Sequence, residues 1–247
     1  MEHQNWTLNP KFFRSNFILD ESMKETIIIS LGGSVIVPDK IDTNFLKKFR
    51  KLILTNLKKD KRFVIICGGG KTAREYISAI SSVGKMKNED LDWIGIHATR
   101  LNSQVLRAVF KDVAYRRIIK NPRERVRFEK VLIAAGWKPG FSTDYDAVLL
   151  AKTYGVKRLI NLTNIDYVYN KNPTEYKDAK PIKEISWGYF RGIVGEKWKP
   201  GLSAPFDPIA AKKAEKYKLQ VIIANGNNMQ NIDNLLEGRG FIGTIIK

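Results

Sequence analysis

Gly68-Gly69-Gly70-Lys71, with Arg74 shortly after, is the pattern in this chain that points most directly to chemistry. Consecutive glycines cost backbone entropy and let main-chain amides approach an anion closely. Nothing in the sequence gives them a packing role. They follow an apolar run and open a helical pattern, whose N-terminus carries partial positive charge. Lys71 and Arg74 in that first turn oppose the helix dipole, so they read as ligand groups rather than stabilisers. The glycine spacing fits neither the Walker A loop nor the dinucleotide fingerprint. Gly32-Gly33-Ser34 repeats the device after an earlier apolar run, although a plain tight turn accounts for it equally well.

Gly136-Trp137-Lys138-Pro139-Gly140-Phe141-Ser142-Thr143-Asp144 is the most unusual stretch. Ser142, Thr143 or Asp144 can cap the helix that follows. Capping does not explain the glycines, the proline and two exposed aromatics at the end of a core strand. A loop with a fixed backbone and aromatic walls suits a planar base. Asp92 is either a surface charge or an acceptor for ribose hydroxyls. Thr163-Asn164, with Tyr167 and Tyr169 beyond it, could read an adenine edge and face. Farther on, Asp207-Pro208 reads as an N-cap with proline at N1. Lys197 and Lys199 are free to approach a cleft.

These residues need strands and helices to place them. Thr26–Leu31 and Phe63–Cys67 are short apolar runs that read as buried strands. Val131–Ala135, Arg158–Leu162, Gln220–Ala224 and Phe241–Ile246 read likewise, as does the short segment Arg117–Ile119. Helical spacing covers Thr43–Leu57, Lys71–Val83, Glu89–Phe110, Asp144–Tyr154, Asp207–Tyr217 and Asn231–Leu236. Continuous apolar strands alternating with helices predict an α/β fold with a mostly parallel sheet covered on both faces. Ligands bind such sheets at the carboxyl ends of the strands. Polar turns fall there after Leu31, Cys67, Ala135, Leu162 and Ala224, outlining one long cleft.

Composition narrows the function. The 247 residues carry 43 Lys and Arg against 25 Asp and Glu, a net charge of +18. Such a balance implies an acidic partner: nucleic acid, an anionic surface, or small polyanions such as nucleotides. The charge is densest at Lys111–Lys130, where Arg116, Arg117, Lys120, Arg123, Arg125 and Arg127 form a solvated face, an RNA-binding face or an interface. One cysteine, Cys67, forms no intramolecular disulfide, and a reducing, cytoplasmic setting is expected. One cysteine and two histidines exclude a Cys/His zinc cluster, and no protein metal site is predicted. No apolar run approaches the ~20 residues of a membrane span. Residues 1–22 lack a signal-peptide pattern and read as an N-terminal extension, with Met23 an alternative start. Trp6, Phe12, Phe13 and Phe17 there suit docking on a neighbouring subunit.

Taken together, the motifs resemble the amino acid kinase superfamily, and within it the UMP kinase (uridylate kinase) family of archaeal type. The resemblance runs from about Met23 to Lys247. It rests on Leu31-Gly32-Gly33-Ser34, Gly68-Gly69-Gly70-Lys71-Thr72-Ala73-Arg74, Asp92-Trp93-Ile94-Gly95-Ile96 with Thr99-Arg100-Leu101-Asn102, Pro139–Asp144, and Thr163-Asn164-Ile165-Asp166 with Tyr169. It implies a three-layer αβα sandwich with UMP held by residues 23–155 and ATP by residues 156–247. It implies Mg²⁺ and a homo-oligomer, commonly a hexamer. By the same resemblance, Gly69, Asp92, Lys138, Pro139, Gly140, Phe141, Ser142, Thr143 and Asp144 would hold UMP. Ser30, Leu31, Gly32, Gly33, Ser34, Gly70, Arg74, Thr163, Asn164, Tyr169 and Asn172 would hold ATP. Arg74, Asp144, Lys71 and Lys199 would serve the reaction, Asp144 by orienting cations.

The chain also departs from the family pattern. Ser30 stands where many relatives carry lysine, which leaves Lys71, Lys197 or Lys199 to supply that charge. Tyr167 stands where glycine is usual, and Asn172-Pro173 replaces Asp-Pro. Two other readings remain open: a kinase of this superfamily for carbamate, an amino acid or isopentenyl phosphate, and a non-catalytic nucleotide- or RNA-binding member. The absence of a histidine after Gly70 argues against isopentenyl phosphate. The expected reaction passes the γ-phosphoryl group of MgATP to UMP.

Overall fold

The computed structural model describes residues 24–195 and 204–247. In chain order the first part contains β1 (Glu25–Leu31), α1 (Gly33–Ile36), α2 (Thr43–Leu57), β2 (Lys61–Cys67), α3 (Gly70–Val83), α4 (Asn88–Val109), β3 (Val131–Ala134) and α5 (Thr143–Tyr154). The remainder contains β4 (Arg158–Thr163), β5 (Val168–Tyr169), β6 (Pro181–Ile182), β7 (Glu184–Ile185), α6 (Trp187–Val194), α7 (Pro208–Lys216), β8 (Gln220–Asn225), α8 (Met229–Leu236) and β9 (Thr244–Ile246).

Seven strands form one sheet in the order β3-β2-β1-β4-β8-β9-β7. It is parallel except where β9 runs against β8. Alternation along the strands sends side chains to two separate cores. Ile28, Val64 and Ile66 face α5, α6 and α7, packing with Val148, Phe190 and Ala210. Ile29, Leu31, Ile65 and Cys67 face the other way, onto Phe49 of α2, Leu106 of α4 and Ile232 of α8. This is the expected αβα sandwich.

The core strands and long helices fall where apolar spacing put them. The differences lie where periodicity is weak. Arg117–Ile119 forms no strand: Ile119 makes an isolated bridge to Ala134, and Ala114 one to Val131. The last strand covers only Thr244–Ile246. Strands β5 to β7, of two residues each, are too short to show a period. Helix α6 went unseen because Gly188 and Gly192 interrupt it; Ser186 caps it, accepting from the Tyr189 amide. Gly33 opens a one-turn helix where a turn was expected. Residues 1–22 lie outside the described residues, as do Lys197 and Lys199.

Candidate active site

The strand order reverses at β1, with β2 and β3 on one side and β4 and β8 on the other. Such a switch point splays the connecting loops apart and opens a crevice at the carboxyl ends. Both glycine turns sit there. The Gly32 amide donates to the Leu162 carbonyl across the gap (2.8 Å), and the Gly68 amide donates to that of Leu31 (3.0 Å). A β-carbon on Gly33 would lie 2.0 Å from the Gly70 nitrogen, and one on Gly32 2.9 Å from the Leu162 oxygen. The glycines therefore do have a packing role, contrary to the sequence expectation: two backbone turns touch, and only hydrogen fits between them. Gly70 also adopts a left-handed φ of +62°.

Around this contact the predicted cations differ. Arg74 is exposed and reaches back toward the Ser34 hydroxyl of the first turn (3.4 Å), so it spans both glycine turns. Lys71 does not join it. Its ammonium is paired with Asp39 and lies 3.5 Å from Glu75, and these two carboxylates hold its proton more firmly than usual. Asn102, quoted in the sequence motif but given no role there, is buried and donates to the Gly68 (3.0 Å) and Gly69 (3.1 Å) carbonyls. It fixes the second turn from below.

The face of the sheet under α5 and α7 carries a polar seam. Ser30 and Asn161 are register partners on β1 and β4, both buried. The Ser30 hydroxyl donates to Asp144 Oδ1 (3.0 Å), and the Asp207 amide donates to Asp144 Oδ2 (3.2 Å). Asn161 donates to the Pro205 carbonyl (2.9 Å), holding the start of α7 against the sheet. Asp207 caps α7 as predicted, Oδ1 accepting from Ile209 and Ala210. Loss of hydration and the nearby Asp207 charge push Asp144 up to about 7. Burial raises Asp207 as well. Among the candidates, Ser142 is the residue that caps α5, accepting from the Tyr145 amide (3.2 Å).

The 136–144 loop forms the far wall. The Gly140 amide donates to Asp92 Oδ2 (2.8 Å), so Asp92 is tied to this loop and is no free surface charge. Gly140 needs its glycine for a φ of +85°. Trp137 and Phe141 are half-buried rather than exposed, because they stack in a column with Tyr145, at centroid spacings of 5.9 and 4.4 Å. The Lys138 ammonium lies over the first two rings of the column, 4.5 Å from Trp137 and 5.4 Å from Phe141. Pro139 is partly covered between Lys138 and Gly140, and Thr143 begins α5.

On the other side of the switch point, Thr163 ends β4, its hydroxyl accepting from the Ile165 amide (3.1 Å). The Gly226 amide donates to the Thr163 carbonyl (2.8 Å), and Asn225 donates to Asp166 (3.0 Å), tying the ends of β4 and β8 together. Asn164 is exposed and Tyr169 half-buried. Two predicted residues present no free group here. Leu31 is buried on the opposite face, its carbonyl taken by Gly68. The Asn172 side chain is used within its own turn, on Thr174 and Glu175.

A parallel sheet whose switch point carries two touching glycine turns, an arginine between them and an aromatic-walled loop opposite is a scaffold for phosphoryl transfer between two ligands. The comparisons with known proteins agree. A sequence profile of the amino acid kinase family matches residues 25–225, and the chain belongs to that family. It is 38% identical over 231 residues to a uridylate kinase of Thermoplasma volcanium, covering 91% of this chain and 99% of that one. A uridylate kinase of Methanobrevibacter smithii is 33% identical over 218 residues, covering 86% and 95%. The crystal structure of a uridylate kinase from Archaeoglobus fulgidus superposes with a TM-score of 0.75 at 30% identity, over 90% of this chain and 99% of that one.

Proposed function

We propose that this chain is a UMP kinase: it transfers the γ-phosphoryl group of ATP to the phosphate of UMP, giving UDP and ADP. The observation that carries this reading is the backbone contact of Gly33 with Gly70, which brings the two glycine turns together. Near full-length similarity to archaeal uridylate kinases supports the choice of acceptor.

In this reading UMP lies along residues 23–155, with Gly69 at its phosphate, Asp92 at its ribose and Lys138–Asp144 around its base. ATP lies toward residues 156–247, its phosphates on Gly32, Gly33, Ser34, Gly70 and Arg74, its adenine near Thr163, Asn164 and Tyr169. A UMP phosphate oxygen forms the new bond to the γ-phosphorus as the bond to the ADP oxygen breaks. The attacking oxygen is already ionised, so no general base is required, only alignment and neutralisation of charge. Glycine-turn amides and Arg74 supply these. Mg²⁺ would enter on ATP. Asp144 and Asp207, neighbouring carboxyls, are the groups suited to a cation there; a metal so held would neutralise phosphate charge.

The α3–α4 face supports a homo-oligomer. Tyr76 and Val83 of α3 and Leu101 of α4 are largely exposed, and α3 buries only Gly70. An apolar helical face of this kind suits a second copy; the hexamer stays with the family resemblance. Among the described residues no helix is long and apolar enough to cross a membrane. A cytoplasmic setting fits the buried, unpaired Cys67, whose thiol burial pushes up to about 12.

The test is a coupled assay with MgATP against UMP, CMP, dUMP, carbamate and isopentenyl phosphate. UDP formed from UMP, with the others at least ~100-fold poorer, is the expected result. Turnover of another acceptor alone overturns the substrate. Nucleotide binding without turnover overturns the enzyme.

A further inference from the structure

Two charged side chains that the mechanism above does not use converge on one residue of the acceptor loop. Asp146 lies one helical turn into α5 and is fully buried. Its Oδ2 accepts from the Trp137 amide (3.0 Å), while its Oδ1 is buried without a partner. Arg100, on α4, donates through Nη2 to the Trp137 carbonyl (3.2 Å). Its Nε is likewise buried and unpaired, and its guanidinium lies 5.7 Å from the Trp93 ring centroid. Burying a carboxyl oxygen and a guanidinium nitrogen with no hydrogen bond among the described residues is costly. Such a cost calls for a compensating task.

The task is visible in the backbone. Both polar groups of Trp137 are held, one from each helix. On either side, the Gly136 amide donates to Thr99 Oγ1 (2.9 Å) and the Gly140 amide to Asp92 Oδ2 (2.8 Å). Loops ordinarily leave such groups to water. Here four side-chain anchors, three of them on α4, fix residues 136–140 while the Trp137 ring carries the stack of Phe141 and Tyr145.

We propose that Asp146 and Arg100 are positioning residues for the acceptor: by clamping the amide and the carbonyl of Trp137 they hold the aromatic wall in its ligand-ready geometry. The proposal rests on reading residues 137–144 as the acceptor pocket. Neither residue touches the reacting atoms. Losing either clamp leaves a Trp137 backbone group unpaired and lets the wall move, which weakens acceptor binding and leaves the ATP side intact. An asparagine of the same shape keeps an oxygen for the Trp137 amide, so it suits the position.

The test compares Asp146→Ala, Asp146→Asn and Arg100→Ala by steady-state kinetics and by amide hydrogen exchange of the ligand-free chain. Asp146→Ala and Arg100→Ala are expected to raise KM for UMP about tenfold or more, with kcat and KM for MgATP within about threefold. Amides of residues 136–140 exchange faster, those of β1 and β4 unchanged. Asp146→Asn keeps an acceptor oxygen and stays within about twofold throughout. Should Asp146→Ala fail to fold, Arg100→Ala carries the same expectations. Unchanged exchange in 136–140, or equal losses for UMP and ATP, overturns the proposal. A wild-type chain that uses an acceptor other than UMP overturns only the substrate assigned above; the same KM split is then required for that acceptor.

Discussion

Gly33 and Gly70 meet backbone to backbone, so closely that a β-carbon on the first would sit 2.0 Å from the nitrogen of the second. The contact joins the turn after β1 to the turn that opens α3. Neither turn can be moved without the other, and the phosphates of two ligands would be aligned by that shared position.

Gly33→Ala must therefore push the turns apart by about an ångström. A misplacement of that size costs on the order of 10²-fold in transfer rate. Gly192→Ala is the contrast: a β-carbon at this exposed site in α6 meets nothing within 4 Å. Alanine there should stabilise by about 0.5–1 kcal/mol. Turnover of Gly33→Ala within threefold of wild type would show that the contact does not set the site.

Arg74 and Lys71 share one helical turn and should behave differently. Arg74→Ala removes a cation from the transferring phosphate, and kcat/KM should fall at least about 10²-fold. Lys71→Ala breaks exposed, solvent-screened ion pairs with Asp39 and Glu75 and should leave turnover within threefold. Equal losses in the two variants would put Lys71 back in the reaction.

Asp144 ties stability to pH. Its carboxyl titrates at about 7 in the folded chain against an ordinary 3.8, because of burial and the Asp207 charge. The folded state thus binds this proton more tightly than the unfolded one. The resulting stability is complete below the unfolded value and is lost as pH rises through about 7. Asp146 and Asp207, raised by burial, act with the same sign. Glu124 and Glu237, lowered by ion pairs, act oppositely but on the surface, where such pairs are worth little. Urea midpoints should fall between pH 4 and pH 8 on the order of the Asp144 shift. Asp144→Asn should flatten that slope; an unchanged slope would assign it elsewhere.

Asp92→Asn separates two tasks. An asparagine oxygen can still accept from the Gly140 amide, so the loop stays in place, while the charge offered to ribose is lost. KM for UMP should rise about fivefold to twentyfold, and KM for MgATP should stay within twofold. A matching rise for both substrates would place Asp92 outside the acceptor pocket.

The order of strands and helices was legible because apolar periodicity survives in a single sequence, as in Ile27–Leu31 or Phe45–Leu57. The glycine turns stood out by composition, but their close packing on one another was not legible. The roles of Asn102, Asp146 and Arg100 were not legible, although Arg100 and Asn102 stand in a quoted motif. Each sits inside a helical pattern that its neighbours explain, and a polar residue within such a pattern does not say what it will face. Lys71 was misread for the converse reason. Its position beside Gly70 is local, but Asp39, which captures it, is 32 residues away.

Sequence by itself determined the layers of this protein, the ends of its core strands and the residue types gathered at those ends. These follow from hydrophobic spacing, glycine freedom and capping, all of which act within a few residues. Only the tertiary structure decided that Gly33 touches Gly70, that Ser30 donates to Asp144 across 114 residues, and that two helices grip Trp137. Those relationships depend on the sheet order and on the direction in which each side chain leaves its element, and both are set only when the whole chain packs.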